Sequence, residues 1–205
     1  RMAWKDLTPK TFASIRELNG ISQRTQEEHY ELYKAYVAKT NEIQKKLDTV
    51  DRSTANQIFS DLRSLRVDLS FAYGGVKNHE TFFGHLGGSG GAPTGKTLEL
   101  INRDFPSYDA WLADFKASGL AARGWVWLAF DHDTASLTTV VGDAQNTFPM
   151  WNATPILAMD VYEHAYWFDF GRLRAKYIEA FFANLDWAVV EQNLVRALAM
   201  QAAAK

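Results

Sequence analysis

Three of the five histidines, His29, His79 and His164, together with Asp160, supply the side chains from which a transition-metal site could be built. Asp160 and His164 stand four apart in Asp160-Val161-Tyr162-Glu163-His164, so both can face one point if the chain turns helical there. His29 and His79 each fall on the inner face of a predicted helix, and the two helices are expected to pack together. Three imidazoles and one carboxylate suit iron, manganese or zinc. Calcium and magnesium prefer shells made of oxygen alone. A single carboxylate leaves most of a trivalent ion's charge uncompensated, so a water on an open position would be acidified. Taken one at a time, each of the five histidines, His85 and His132 included, reads as an ordinary core or surface residue. The combination is what points to a metal.

The elements that must position these residues can be read from spacing. Thr25-Gln26-Glu27-Glu28 has capping-box form and predicts a helix start, followed by His29, Leu32, Tyr33, Tyr36 and Val37 on one face. A second helix is predicted from near Ser53. Its seam is Ile58, Leu62, Leu65, Leu69, Ala72, Val76, His79 and Phe83, with steps of four and three suited to an antiparallel partner. Gly74 and Gly75 lie inside that helix, where each glycine costs about 1 kcal/mol relative to alanine, so something should approach the backbone closely there.

The glycine-rich stretch from Gly87 to Gly95 predicts a flexible boundary. It separates an N-terminal helical-hairpin domain, residues 1–87, from a C-terminal α/β domain, residues 96–205, with 88–95 as linker. In the second part a helix capped by Ser107 is expected to precede two strands, 125–130 and 137–141. Asp131-His132-Asp133-Thr134 is their hairpin loop. A loop through Pro149 leads to a third strand, 156–159, ending at Asp160, and helices around 177–185 and 188–203 complete the chain. The fold class is α+β: an N-terminal antiparallel helical hairpin followed by a C-terminal α/β domain with a small antiparallel sheet.

Composition excludes several function classes. The 205 residues carry 22 basic and 24 acidic side chains, a net charge of −2, which gives no electrostatic footprint for nucleic acid or for a membrane surface. No cysteine is present, so disulfides, thiolate catalysis and cysteine-ligated clusters are excluded. No apolar run reaches the length of a transmembrane helix, and Arg1-Met2-Ala3-Trp4-Lys5 starts no signal peptide. A cytoplasmic location is the default expectation.

Several separated motifs give the chain a family resemblance. Asp160-Val161-Tyr162-Glu163-His164-Ala165-Tyr166 is close to the signature D-x-W-E-H-A-Y of the iron/manganese superoxide dismutases. Asn78-His79, Gly124-Trp125-Val126-Trp127-Leu128 and Ala153-Thr154-Pro155 match the same family in the same order. The resemblance covers nearly the whole chain. It implies His29, His79, Asp160 and His164 as ligands of one manganese or iron ion per subunit. Superoxide is then the substrate, with no nucleic-acid or membrane partner, and the assembly is a homodimer, with a homotetramer as the alternative. In this family a glutamine beside the metal comes either from four residues before the second histidine, where this chain has Gly75, or from the hairpin region, where it has Gln145. The pairing of Gly75 with Gln145 resembles the manganese type.

The departures from the family pattern carry their own expectations. Family members place a histidine four residues after the first ligand and a gateway tyrosine eight after it. Here Tyr33 stands at four and Tyr36 at seven, as if one residue were missing. Seven residues make nearly two helical turns, so Tyr36 still shares the face of His29 if the helix is regular and lacks a π-bulge. Tyr36 and Gln145 are then the catalytic pair, organising proton delivery. Tyr162 and Phe83 replace two family tryptophans, and the Tyr162 hydroxyl needs a partner. Trp125 and Trp127 wall the site. By resemblance Glu163 bridges to the other subunit's copy of His164, while Tyr33 and Trp167 occupy the places of a second bridge. Arg174 and Lys34 are candidates for attracting an anion. Two rival readings remain: a metal-binding homologue without dismutase activity, and a zinc-dependent hydrolase, for which the sequence offers no separate base.

Overall fold

Helix α1 (Gln23–Thr49) begins three residues before the predicted capping box: Ser22 is the cap, its Oγ accepting from the Thr25 amide at 3.2 Å. Gln23 and Arg24 carry no signal against helix, so the earlier of two competent caps is used. The helix is regular throughout, with no π segment. Helix α2 (Asp61–Gly84) starts later than expected. Ser60 caps it, and the Asp51 and Asn56 side chains take the Ser53 and Ile58 amides at 2.9 and 2.8 Å. Those local bonds compete with helix formation before Ser60. Ile58 therefore leaves the predicted seam and is 85% exposed, while Ala72, Val76, His79 and Phe83 are buried.

The two helices run antiparallel. His29 meets His79 and Phe83, Tyr36 meets His79 and Phe71, and Val50 lies by Leu62 and Leu65 at the far end. The structure, a computed structural model, describes residues 4–148 and 150–203. Arg1, Met2 and Ala3, on which the reading of the N-terminus rests, and Pro149 in the loop before the third strand lie outside the described residues.

The glycine-rich segment is docked rather than free. The Gly87 and Gly88 amides both donate to the Asn184 carbonyl at 2.9 Å, and Gly90 donates to Leu185 at 3.1 Å. A Cβ on Gly88 would sit 2.5 Å from the Asp186 Cα, so only glycine lets the two backbones meet. Gly95 opens a helix the spacing does not reveal, α3 (Gly95–Asp104), which buries Leu100 and Ile101. Its first turn is capped from a distance: Glu191 accepts from the Lys96 and Thr97 amides at 2.9 and 2.7 Å and from the Thr97 hydroxyl. Helix α4 (Tyr108–Ala121) starts at the expected Ser107 cap.

Strands β1 (Trp125–Asp131), β2 (Ser136–Gly142) and β3 (Ala153–Asp160) form an antiparallel sheet in the order β2-β1-β3. β1 is central and almost wholly buried, which its near-continuous apolar run requires. Its first residue, Trp125, pairs across the sheet with Asp160. A 3-10 turn (Glu163–Ala165) and the short α5 (Trp167–Phe170) follow, then α6 (Arg174–Ala183) and α7 (Trp187–Ala203). One apolar core runs from Tyr33 and Val76 of the hairpin through β1 and β3 to Leu194 of α7; a small second core of Ile43, Leu47 and Ala72 holds the hairpin's far end. Among the described residues no helix is long and apolar enough to cross a membrane.

Candidate metal centre

Four elements deliver the four proposed ligands to one point. His29 comes from α1, His79 from α2, Asp160 from the end of β3 and His164 from the 3-10 turn after it. One donor atom from each lies within 4.8 Å of the other three. Asp160 Oδ2 stands 3.0 Å from His29 Nε2, 3.0 Å from His164 Nε2 and 3.5 Å from His79 Nε2. His29, His79 and Asp160 are buried, and the His164 side chain keeps 31% of its surface open.

The geometry fits a cation. His79 Nδ1 donates to the Gly75 carbonyl at 2.7 Å, which fixes the tautomer and leaves Nε2 a bare lone pair. That Nε2 is buried with no hydrogen-bond partner and faces a carboxylate oxygen. Two acceptors do not face each other in a dry interior without something positive between them. Burial, with His29 next, pulls the His79 pKa down to about 3, and burial lowers His29 too. Both rings are thus neutral, as metal ligands must be. Burial alone would raise the Asp160 carboxyl, but His164 and His29 overcome it and hold the group well below the usual carboxylate range. Burial would lower His164, yet the Asp160 charge and hydrogen bond leave it raised.

The carboxylate is itself held. The Tyr162 amide donates to Asp160 Oδ1 at 2.9 Å, and the buried Tyr177 hydroxyl donates to the Asp160 carbonyl at 2.6 Å. Tyr177 is a residue the sequence reading passed over. A tyrosine on an apolar helix face needs a buried partner, and that was the available signal.

Around the ligands, the Tyr36 ring lies 5.5 Å from the His79 ring, and the Gln145 side chain is close enough to its hydroxyl to act on its titration. The one-residue-shorter spacing on a regular helix therefore does bring Tyr36 to His79. Burial raises the Tyr36 pKa, with the Asp160 charge adding to it. Gln145 is buried, and its Oε1 accepts from Trp125 Nε1 at 3.1 Å. An indole N–H can only donate, so this contact fixes the amide and leaves the NH2 end toward Tyr36. Trp127 stacks on Trp125 at 6.2 Å, and Trp125 meets His79 edge-on at 5.3 Å.

The two helix glycines are explained here. A Cβ on Gly74 would fall 2.2 Å from the Gln145 carbonyl oxygen, and one on Gly75 would fall 2.8 Å from the Tyr36 ring. Asn78 Nδ2 also donates to the Gln145 carbonyl, at 3.0 Å. The extra hydroxyl at position 162 finds the Asp143 carbonyl at 3.3 Å, with its ring stacked on His164 at 5.3 Å. Phe83 meets His29 at 4.9 Å.

Other expected residues lie elsewhere. Tyr33 is fully buried within its own chain, where it accepts from the Lys10 amide and donates to Glu80, both at 3.0 Å. Burial pushes its pKa up to about 12. Trp167 is 51% exposed beside exposed Glu163. Arg174 donates to the Tyr166 hydroxyl at 3.1 Å and to the Ala122 carbonyl at 2.7 Å. Lys34 pairs with Glu31 at 2.5 Å on its own helix. His85 is buried and accepts from the Ala158 amide at 3.0 Å, and burial draws its pKa to about 3. His132 is hydrogen-bonded to Gln201 and Thr154.

Comparison with known proteins gives the family. Residues 93–193 match the family model for the C-terminal domain of iron/manganese superoxide dismutases. The chain is 40% identical over 197 residues to a superoxide dismutase [Fe] of Aquifex aeolicus, covering 94% of this chain and 92% of the relative. It is 31% identical over 170 residues to a superoxide dismutase [Fe] of Methanothermobacter thermautotrophicus, covering 80% and 82%. Over 98 residues it is 42% identical to a superoxide dismutase [Mn] of Haloarcula marismortui, covering 48% of each chain. With similarity extending over nearly the full length, and four donors converging from four elements, the chain belongs to the iron/manganese superoxide dismutase family.

Proposed function

We propose that His29, His79, Asp160 and His164 hold one ion per chain, with manganese the preferred metal, and that Tyr36 and Gln145 manage protons beside it. The enzyme is a superoxide dismutase, converting two superoxide anions and two protons into dioxygen and hydrogen peroxide with iron or manganese. When bound, the metal supplies the one-electron couple that accepts an electron from one superoxide and returns it to the next. The observation that carries the ligand assignment is the buried, partnerless Nε2 of His79 facing Asp160.

Each residue's part follows from its contacts. Asp160 offsets part of the cation's charge and is kept in place by Tyr162 and Tyr177. Gln145 offers its NH2 end, fixed by Trp125, as a donor beside the ligands. Tyr36 lies beside that amide and, with its pKa raised by burial and by the Asp160 charge, keeps its own proton on Oη for delivery outward. Indole, phenol and phenylalanine rings exclude bulk water around the shell. Manganese is favoured because the glutamine arises from position 145 while Gly75 leaves the helical place empty. The curated relatives bear either metal in their names.

The exposed Glu163, Trp167 and Phe168, next to the open edge of His164, support a homodimer built on this face. Light scattering on wild type and Glu163→Ala tests this, and a monomeric wild type would end it.

The deciding experiment loads metal-free protein separately with manganese, iron and zinc, quantifies the bound metal and assays dismutation. Activity is expected with manganese above iron, and none with zinc. Full occupancy without activity in either redox metal would identify a metal-binding homologue that has lost catalysis.

A further inference from the structure

Gln145 lies on the irregular segment between β2 and β3, where a short polar turn by itself would not hold one side chain to a fraction of an ångström. Its centre is seated on α2 at the Gly74 notch and by Asn78. Its two ends are held by different elements. Downstream, Asn146 Nδ2 donates to Ser70 Oγ at 2.8 Å, and Ser70 donates in turn to the Val67 carbonyl at 2.7 Å. Upstream, the Tyr162 hydroxyl donates to the Asp143 carbonyl at 3.3 Å from a ring stacked on His164. We propose that Ser70 and Tyr162 are positioning residues for Gln145, closing a strap on both sides of it that sets where its NH2 points.

The proposal rests on the reading that Gln145 serves the bound ion, and it adds two residues that touch neither the ion nor the substrate through these contacts. The Trp125 bond fixes which end of the amide faces the ligands and Asn78 holds the Gln145 carbonyl, while the chain on either side of that residue is tied down through Asn146 and Asp143. Small displacements of an aimed donor are costly in catalysis, because alignment supplies much of its effect. Ser70 is an exposed residue of α2 whose hydroxyl has no other task than these two bonds. Tyr162 reaches the same segment from the ligand strand, so the strap ties the second ligand helix to the Asp160–His164 turn across Gln145.

The test uses the full chain loaded with manganese. Ser70→Ala, Tyr162→Phe and the double variant are compared with Gln145→Ala and with a control on the same helix, Ser64→Ala. Two quantities are read: amide hydrogen exchange over residues 142–148, and the azide dissociation constant from the visible absorption band. Each single variant is expected to raise exchange in the segment by about tenfold. Each should also shift azide affinity by about two- to fivefold in the direction of Gln145→Ala, with the double shifting further. Ser70→Thr, which keeps the hydroxyl, should restore wild-type exchange, and Ser64→Ala should match wild type throughout. If Gln145→Ala shifts azide binding while the double variant leaves exchange and affinity unchanged, the strap is overturned and the site reading stands. If Gln145→Ala itself leaves azide binding unchanged, the reading of Gln145 falls and this proposal falls with it.

Discussion

Two of the proposed ligands, His79 and Asp160, are held by polar groups outside the metal shell. His79 has its tautomer set by the Gly75 carbonyl, and Asp160 has its backbone gripped by Tyr177. Tyr177→Phe removes only an oxygen, but it leaves a buried carbonyl without its donor. A loss of about 1–3 kcal/mol in stability is expected, read by urea titration of metal-free protein. A drop of about 10–100-fold in manganese affinity is expected beside it, read by competition with a chelator. An unchanged affinity would mean that Tyr177 serves the core alone. The four clustered donor residues are legible in the sequence because their chemistry is unusual for a core. Tyr177 is not, since nothing local separates it from any other tyrosine on an apolar helix face.

At the scale of elements, α1 and α2 fit each other at Tyr36 and Gly75. A side chain at 75 has no room while Tyr36 stands where it does, and Tyr36 reaches His79 only because α1 is an unbroken helix. Gly75→Ala should therefore destabilise the protein in the wild-type background and cost less in a Tyr36→Ala background. A coupling of about 0.5–3 kcal/mol in a double-mutant cycle is expected, and additive effects would refute the fit. The packing of α3 on α7 makes a separate prediction through Glu191, which caps α3 from 94 residues further along the chain. Burial would raise its carboxyl, but the Thr97 and Lys96 donors outweigh it and the pKa is lowered. Its contribution is thus fully present above the ordinary glutamate value of 4.5 and is lost as pH falls through the depressed folded value. Glu191→Gln should lower Tm by about 2–4 °C at neutral pH, and the gap to wild type should close in acid. A gap that stays constant with pH would show that the carboxylate's charge is not what caps the helix. No spacing rule finds this cap, because donor and acceptor are brought together only by the packing of distant segments.

Across the whole molecule, the metal centre joins parts of the chain that share no local signal. Two ligands come from the hairpin and two from the sheet domain, and Gln145 crosses back from the second to touch the first. Binding an ion should therefore lock the two halves together. Protein with manganese at about 1,000 times its dissociation constant is expected to gain about 4 kcal/mol over the metal-free form. That corresponds to a rise in Tm of roughly 10 °C, read by calorimetry before and after chelation. Equal Tm values would contradict a site that spans both halves.

The amino-acid sequence by itself determined the ligand types, the helical hairpin, the three strands and the family. Periodicity and side-chain chemistry are local properties that survive without tertiary contacts. Tertiary structure decided the rest. It docked the glycine-rich segment against residues 184–186, where the sequence suggested a free linker, because backbone-to-backbone approach depends on what lies opposite. It buried Tyr33 against Lys10 and Glu80 and turned Arg174 inward onto Tyr166 and the Ala122 carbonyl. A polar side chain's task is set by the partner it meets, and that partner is most often far away in sequence.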